Sequence, residues 1–166
     1  MSPVTLFSRD MPAADYVEPM TAPINVFAVA PEVKLHRTGQ RPYVFEGVEV
    51  CSATTHSPGP SLWYEINLYR KQSGSLVIDV RFFGKPDDMK DRCRTYFADS
   101  LDEVAHVLEG YDPAMDIDAD VPVSDLTVPV SMIALHAAVI RMRLDEARRQ
   151  FADLTGETAR LSPGGR

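Results

Sequence analysis

Three aspartates alternate at Asp116, Asp118 and Asp120, the spacing by which a calcium loop wraps oxygen ligands round a hard cation. The remainder of such a loop is missing, because Val121 stands where the sharp turn needs glycine and Thr127 where a bidentate glutamate closes the shell. The run therefore reads as a solvated acidic connector. Cys51 and His56 could be paired on paper as nucleophile and base. A reactive thiolate needs an electropositive or helix-terminal setting, however, and Cys51 lies beside Glu49 in a strand-like run. His36, His56, His106 and His136 offer no pair with ligand spacing on one element, so no zinc site is expected. His136, at the edge of an apolar helix stripe, reads as an interface residue that could make assembly sensitive to pH. Phosphate-cradling G-x-x-x-x-G-K and G-x-G-x-x-G runs are missing, as are H-E-x-x-H and G-x-S-x-G. No catalytic, cofactor-binding or metal-ligating residue is nominated, and the expected role is non-catalytic.

A second group of residues is suited to recognition. Alternation puts Trp63, Tyr69, Arg81 and Phe83 on one face of a hairpin, with Lys85 just beyond. Rings beside guanidinium groups fit a protein interface or stacking on bases. Between Trp63 and Phe97 there are seven basic and five acidic residues, a small excess for a nucleic-acid surface.

The elements that must carry these residues follow from periodicity. Tyr43-Val44-Phe45 begins a strand, a turn is expected at Glu46-Gly47, and a strand resumes from Val48 to Ala53 before the breaker cluster Ser57 to Pro60. In the hairpin, Tyr64, Ile66 and Leu68 must share a face with Leu76, Ile78, Val80 and Phe82. A slip of one residue would turn one of these sets to water. A three-residue loop Gln72-Ser73-Gly74 meets that condition and sets Ile66 opposite Val80, Glu65 opposite Arg81, Asn67 opposite Asp79 and Trp63 opposite Phe83. Arg92 to Ala98 continues the sheet. Ser100 and Glu103 then form a capping box for a helix ending at Gly110, with Leu101, Val104, Ala105 and Leu108 on one side.

From Pro129 to about Gly156 a long helix carries Ile133, Ala137, Ile140, Leu144, Ala147, Phe151 and Leu154 in four-three alternation, the seam of a coiled coil. Its first half is apolar nearly all round, since Met132, Leu135, Val139 and Met142 point away from that seam. One small sheet cannot cover both faces, so the seven seam residues are expected to form an oligomer interface.

The predicted architecture is α+β. Residues 1–40 form an extended arm with an apolar patch at Ile24, Val26, Phe27 and Val29. An antiparallel sheet of about four strands with one short helix occupies 41–110, an acidic loop 111–128, the assembly helix 129–156 and a disordered tail 157–166. The order of strand, hairpin, strand and short helix around Phe83-Gly84-Lys85 resembles the WGR domain, a nucleic-acid-associated module, over about a quarter of the chain. Phe83 and Lys85 replace the tryptophan and arginine of that motif, and the chain is not assigned to the family.

The net charge of −7 is local: Thr95 to Ile140 holds nine acidic residues and no lysine or arginine. That face would repel a polyanion. Cys51 and Cys93 read as reduced, buried strand residues. The N-terminal residues, broken by Arg9 and Asp10, do not read as a signal peptide, and the uncharged run Leu126 to Ile140 is shorter than the ~20 residues that span a bilayer. A cytoplasmic oligomeric scaffold, adaptor or accessory subunit is therefore expected, binding itself and another protein. Its alternatives are a nucleic-acid-associated module on the Trp63/Phe83 face and an enzyme with an unfamiliar site.

Overall fold

The computed structural model describes residues 29–161 other than 88, 122, 123 and 125, with side chains through residue 156. Ile24, Val26, Phe27 and the last five residues lie outside the described residues. Five strands, β1 (Glu32–Leu35), β2 (Tyr43–Thr54), β3 (Leu62–Lys71), β4 (Leu76–Gly84) and β5 (Arg92–Ala98), form an antiparallel meander in sequence order. Then come α1 (Leu101–Glu109), a single 3-10 turn at Pro113–Asp116, and the long helix α2 (Val130–Leu161).

The hairpin register follows from the parity of its apolar residues. Ile66 faces Val80, Glu65 faces Arg81, Asn67 faces Asp79 and Trp63 faces Phe83, and Gly74 takes a φ of 95° in the loop. The even face becomes the main core, where Leu62, Tyr64, Ile66, Ile78, Val80 and Phe82 are all buried. Val104 and Leu108 of α1 are buried against it, whereas Leu101 and Ala105 are exposed. The α1 cap works through Ser100 Oγ, which accepts from the Glu103 amide at 3.2 Å. The Glu103 carboxylate reaches one residue further back than a standard capping box, to the Asp99 amide at 2.6 Å.

Three expectations are corrected. The sheet has five strands rather than about four, because Glu32–Leu35, expected within the arm, pairs with the start of β2. No turn interrupts Glu46-Gly47: β2 runs straight through, and Gly47 is required by close approach, since a Cβ there would lie 2.6 Å from the Arg70 carbonyl oxygen. Gly156 does not end α2, which continues to Leu161. A lone glycine weakens a helix without forbidding it, and glutamate, alanine and arginine follow it here.

The sheet curls until its ends meet. The Thr38 amide donates to the Cys93 carbonyl at 2.9 Å, and the Cys93 amide donates to the Thr38 hydroxyl at 2.8 Å, so the β1–β2 connection covers the outer edge of β5. Inside this curl Leu35, Phe45, Tyr69 and Val77 form a second, smaller core.

Candidate functional site

Helix α2 changes character along its length. Ala147, Phe151 and Leu154 are fully within the main core. Phe151 stacks on Tyr111 with centroids 4.6 Å apart and meets Tyr64 edge-on at 5.3 Å. These three seam residues are therefore occupied within their own chain. Toward the N-terminus of α2, Ile140 packs at the core margin, Ile133 and Leu144 are half-buried, and Ala137 is exposed.

The opposite flank of the first half carries no such cover among the described residues. Met132 is 43% exposed, Leu135 55% and Met142 72%, with Val139 half-buried between them. Met132, Leu135, Val139 and Met142 recur at intervals of three, four and three, so they lie in one row along the helix. Large apolar side chains clustered on one rigid surface make this flank a candidate contact face. Past Met142 the row turns polar: Glu146 accepts from Gln150 at 2.8 Å and pairs with Arg149.

The acidic segment before α2 is docked at Asp116, while Asp112, Asp118 and Asp120 remain exposed. Asp116 is 2% exposed and accepts from the Tyr64 hydroxyl at 2.8 Å and the Tyr111 hydroxyl at 2.5 Å, while Arg94 lies 3.2 Å from its other oxygen. Arg92 holds Asp118 at 2.6 Å. Burial raises the Asp116 carboxyl above the ordinary carboxylate range, against the lowering effect of its two phenol donors and Arg94. Both phenols are pushed well up by burial and by the facing carboxylate. This cluster fixes the segment to the sheet directly beneath α2. Periodicity carried no signal for it, since Tyr64 and Asp116 are 52 positions apart.

The recognition face of the hairpin divides. Tyr69 is buried in the second core. Arg81 is neutralised, 2.6 Å from Asp79 and 3.8 Å from Glu65. Trp63 and Phe83 remain half-buried and stacked at 5.3 Å, with the His56 ring edge-on to Trp63 at 4.8 Å and the Lys85 ammonium donating to the Pro58 carbonyl at 3.3 Å. Only a small aromatic patch therefore faces outward.

Cys51 is exposed rather than buried, because it lies beyond the stretch of β2 that β1 covers. Its thiol is raised by desolvation and by Glu49, which disfavours the thiolate. Cys93 is half-buried and free, beside a cleft of about 330 Å³ that Arg37, Thr38, Gln40 and Thr95 also line. Burial and Asp79 raise its thiol too. The Asp79 carboxyl, fully buried on the neighbouring strand, is raised by burial despite Arg81. Among the described residues no group of three or more His, Cys, Asp and Glu gathers as metal ligands, and no helix is long and apolar enough to cross a membrane.

No family model matches the chain, and neither the curated proteins nor the solved structures gave a match.

Proposed function

We propose that this protein is a non-catalytic, self-associating scaffold or accessory subunit that assembles through the exposed flank of the first half of α2. One observation carries the reading: Met132, Leu135 and Met142 stand in solvent along one row of a helix whose second half is core. Covering a side chain of this size stabilises by roughly 1.5–3 kcal/mol, so the row is a source of association energy and a liability if left bare. Of the seven seam residues, Ala147, Phe151 and Leu154 anchor the helix in the main core, and Ile133, Ala137, Ile140 and Leu144 lie on the face opposite this row. The Trp63/Phe83 pair lies on the sheet face opposite the one α2 packs against and is a separate surface for another protein partner. A reducing, cytoplasmic setting fits the two unpaired cysteines.

The test is sedimentation of the full chain at tens of micromolar. The wild type is expected to show a mass above one chain, and the double variant Leu135→Glu/Met142→Glu the mass of one chain with an unchanged circular-dichroism spectrum. A wild-type protein that sediments as a single chain overturns the proposal.

A further inference from the structure

We infer that the open outer edge of β2 is the docking site of residues 24–28 of the same chain, laid antiparallel to β2 with Val26 opposite Ala53.

The second half of β2 is bare. β1 covers the strand only from Tyr43 to Glu46, and just beyond it the Gly47 amide donates to the Pro31 carbonyl at 3.0 Å. From Val48 to Ser52 every residue is exposed, Val48 by 40% and Val50 by 51%, and β3 is the one strand beside them among the described residues. The Gly47 amide points outward, whereas the Thr55 amide points toward β3, donating to the Tyr64 carbonyl at 3.0 Å. Alternation on either side of the bulge between Glu49 and Cys51 then turns the main-chain groups of Glu49, Ser52 and Thr54 outward. Such an edge is a template for another strand, and Val50 to Thr54 holds neither the lysine nor the proline that commonly blunts one.

The chain upstream of β1 is directed at this edge. Because β1 runs antiparallel to β2, the residues before Glu32 head past Gly47 toward Val48 and Glu49. Pro31 has no N–H to return to the Gly47 carbonyl, so the ladder lapses there and Val29 stands 70% exposed. Carried on upstream, with the bulge adding one residue on β2, the same register sets Ala28 opposite Cys51, Val26 opposite Ala53 and Ile24 opposite Thr55.

Composition suits that place. Between Pro23 and Pro31 the chain has no charge, and Ile24, Val26 and Phe27 are of the branched and aromatic types that favour strands. Parity puts Ile24, Val26 and Ala28 on the face of Ala53, which packs against the main core. Two branched side chains thereby extend the margin of that core. A strand from a second copy or another protein would have to compete with a segment tethered three residues from Gly47's partner, at an effective concentration of about millimolar.

Amide hydrogen exchange of the full chain reads the edge directly. When the segment is docked, the Ser52 amide donates to the Phe27 carbonyl and the Thr54 amide to the Asn25 carbonyl, and both exchange about a hundredfold more slowly than open amides. Phe27→Pro, which removes the return bond to Ser52, is expected to abolish that slowing. Fast exchange at both amides in the wild type overturns the proposal. In a Cys51→Ser/Cys93→Ser background, Val26→Cys/Ala53→Cys places two thiols on a non-hydrogen-bonded pair with Cα atoms about 4.5 Å apart. Mild oxidation is expected to join them within one chain, read as a single-chain mass without free thiols. Phe27→Cys/Ala53→Cys, with its side chains on opposite faces, is expected to stay open, and equal closure of both pairs overturns the register. A disulfide between two chains overturns the intrachain placement in favour of arms exchanged between copies. Slow amides with both thiols left free overturn this segment as the occupant in favour of a strand from another protein.

Discussion

Asp116 draws together partners from two strands separated by β4 and from a loop: Tyr64 of β3, Arg94 of β5 and Tyr111. Removing the carboxylate strands two buried phenols and a guanidinium, so Asp116→Ala is expected to cost about 3 kcal/mol in urea unfolding, as breaking buried ion pairs does. The pH dependence has a definite sign. Because the folded carboxyl titrates above the unfolded one, the folded state binds more protons between those two values. This carboxyl therefore makes stability fall as pH rises through that window. Urea titrations across the acid range should show Asp116→Asn losing this component. The alternating aspartates were visible as a motif, yet their types are shared by solvated connectors and cation loops alike. Only the phenols over Asp116 distinguish a third outcome, a buried anchor.

At the scale of elements, α2 is one helix with two environments. Gly156 lies inside it with no atom within 4 Å of the position a Cβ would occupy. Gly156→Ala is therefore expected to raise stability by about 0.5–1 kcal/mol, measured as the shift in the urea midpoint. Phe151→Ala should cost about 3–5 kcal/mol, because the ring is wedged between Tyr64 and Tyr111. The same unfolding series measures both, with opposite signs. The hairpin was the most legible element, since the shared face of Ile66, Leu68, Ile78 and Val80 leaves one register that keeps both strands dry. Gly47 was misleading for the converse reason. Glycine serves turns and close contacts equally, and the nearby Arg70 carbonyl that decides between them is 23 positions away.

For the whole molecule, the quantity at issue is how much apolar surface one copy covers. If a second copy completes the shielding of α2, the unfolding midpoint rises with protein concentration, as linkage requires when association is confined to the folded state. Differential scanning calorimetry over a hundredfold concentration range should show that rise in the wild type. Leu135→Glu/Met142→Glu should show a constant midpoint.

By itself the sequence determined whatever depends on neighbours in the chain. The α+β class, the hairpin register, the Ser100 cap and the double-sided apolar character of α2 all follow from period, parity and capping chemistry. Tertiary structure alone decided which apolar face of α2 the sheet would take. It also buried Tyr69 within the curl, and joined the β1–β2 connection to β5 through Thr38 and Cys93. The physical reason is that periodicity fixes which residues share a face, whereas the occupant of that face is chosen by surfaces brought together from distant parts of the chain.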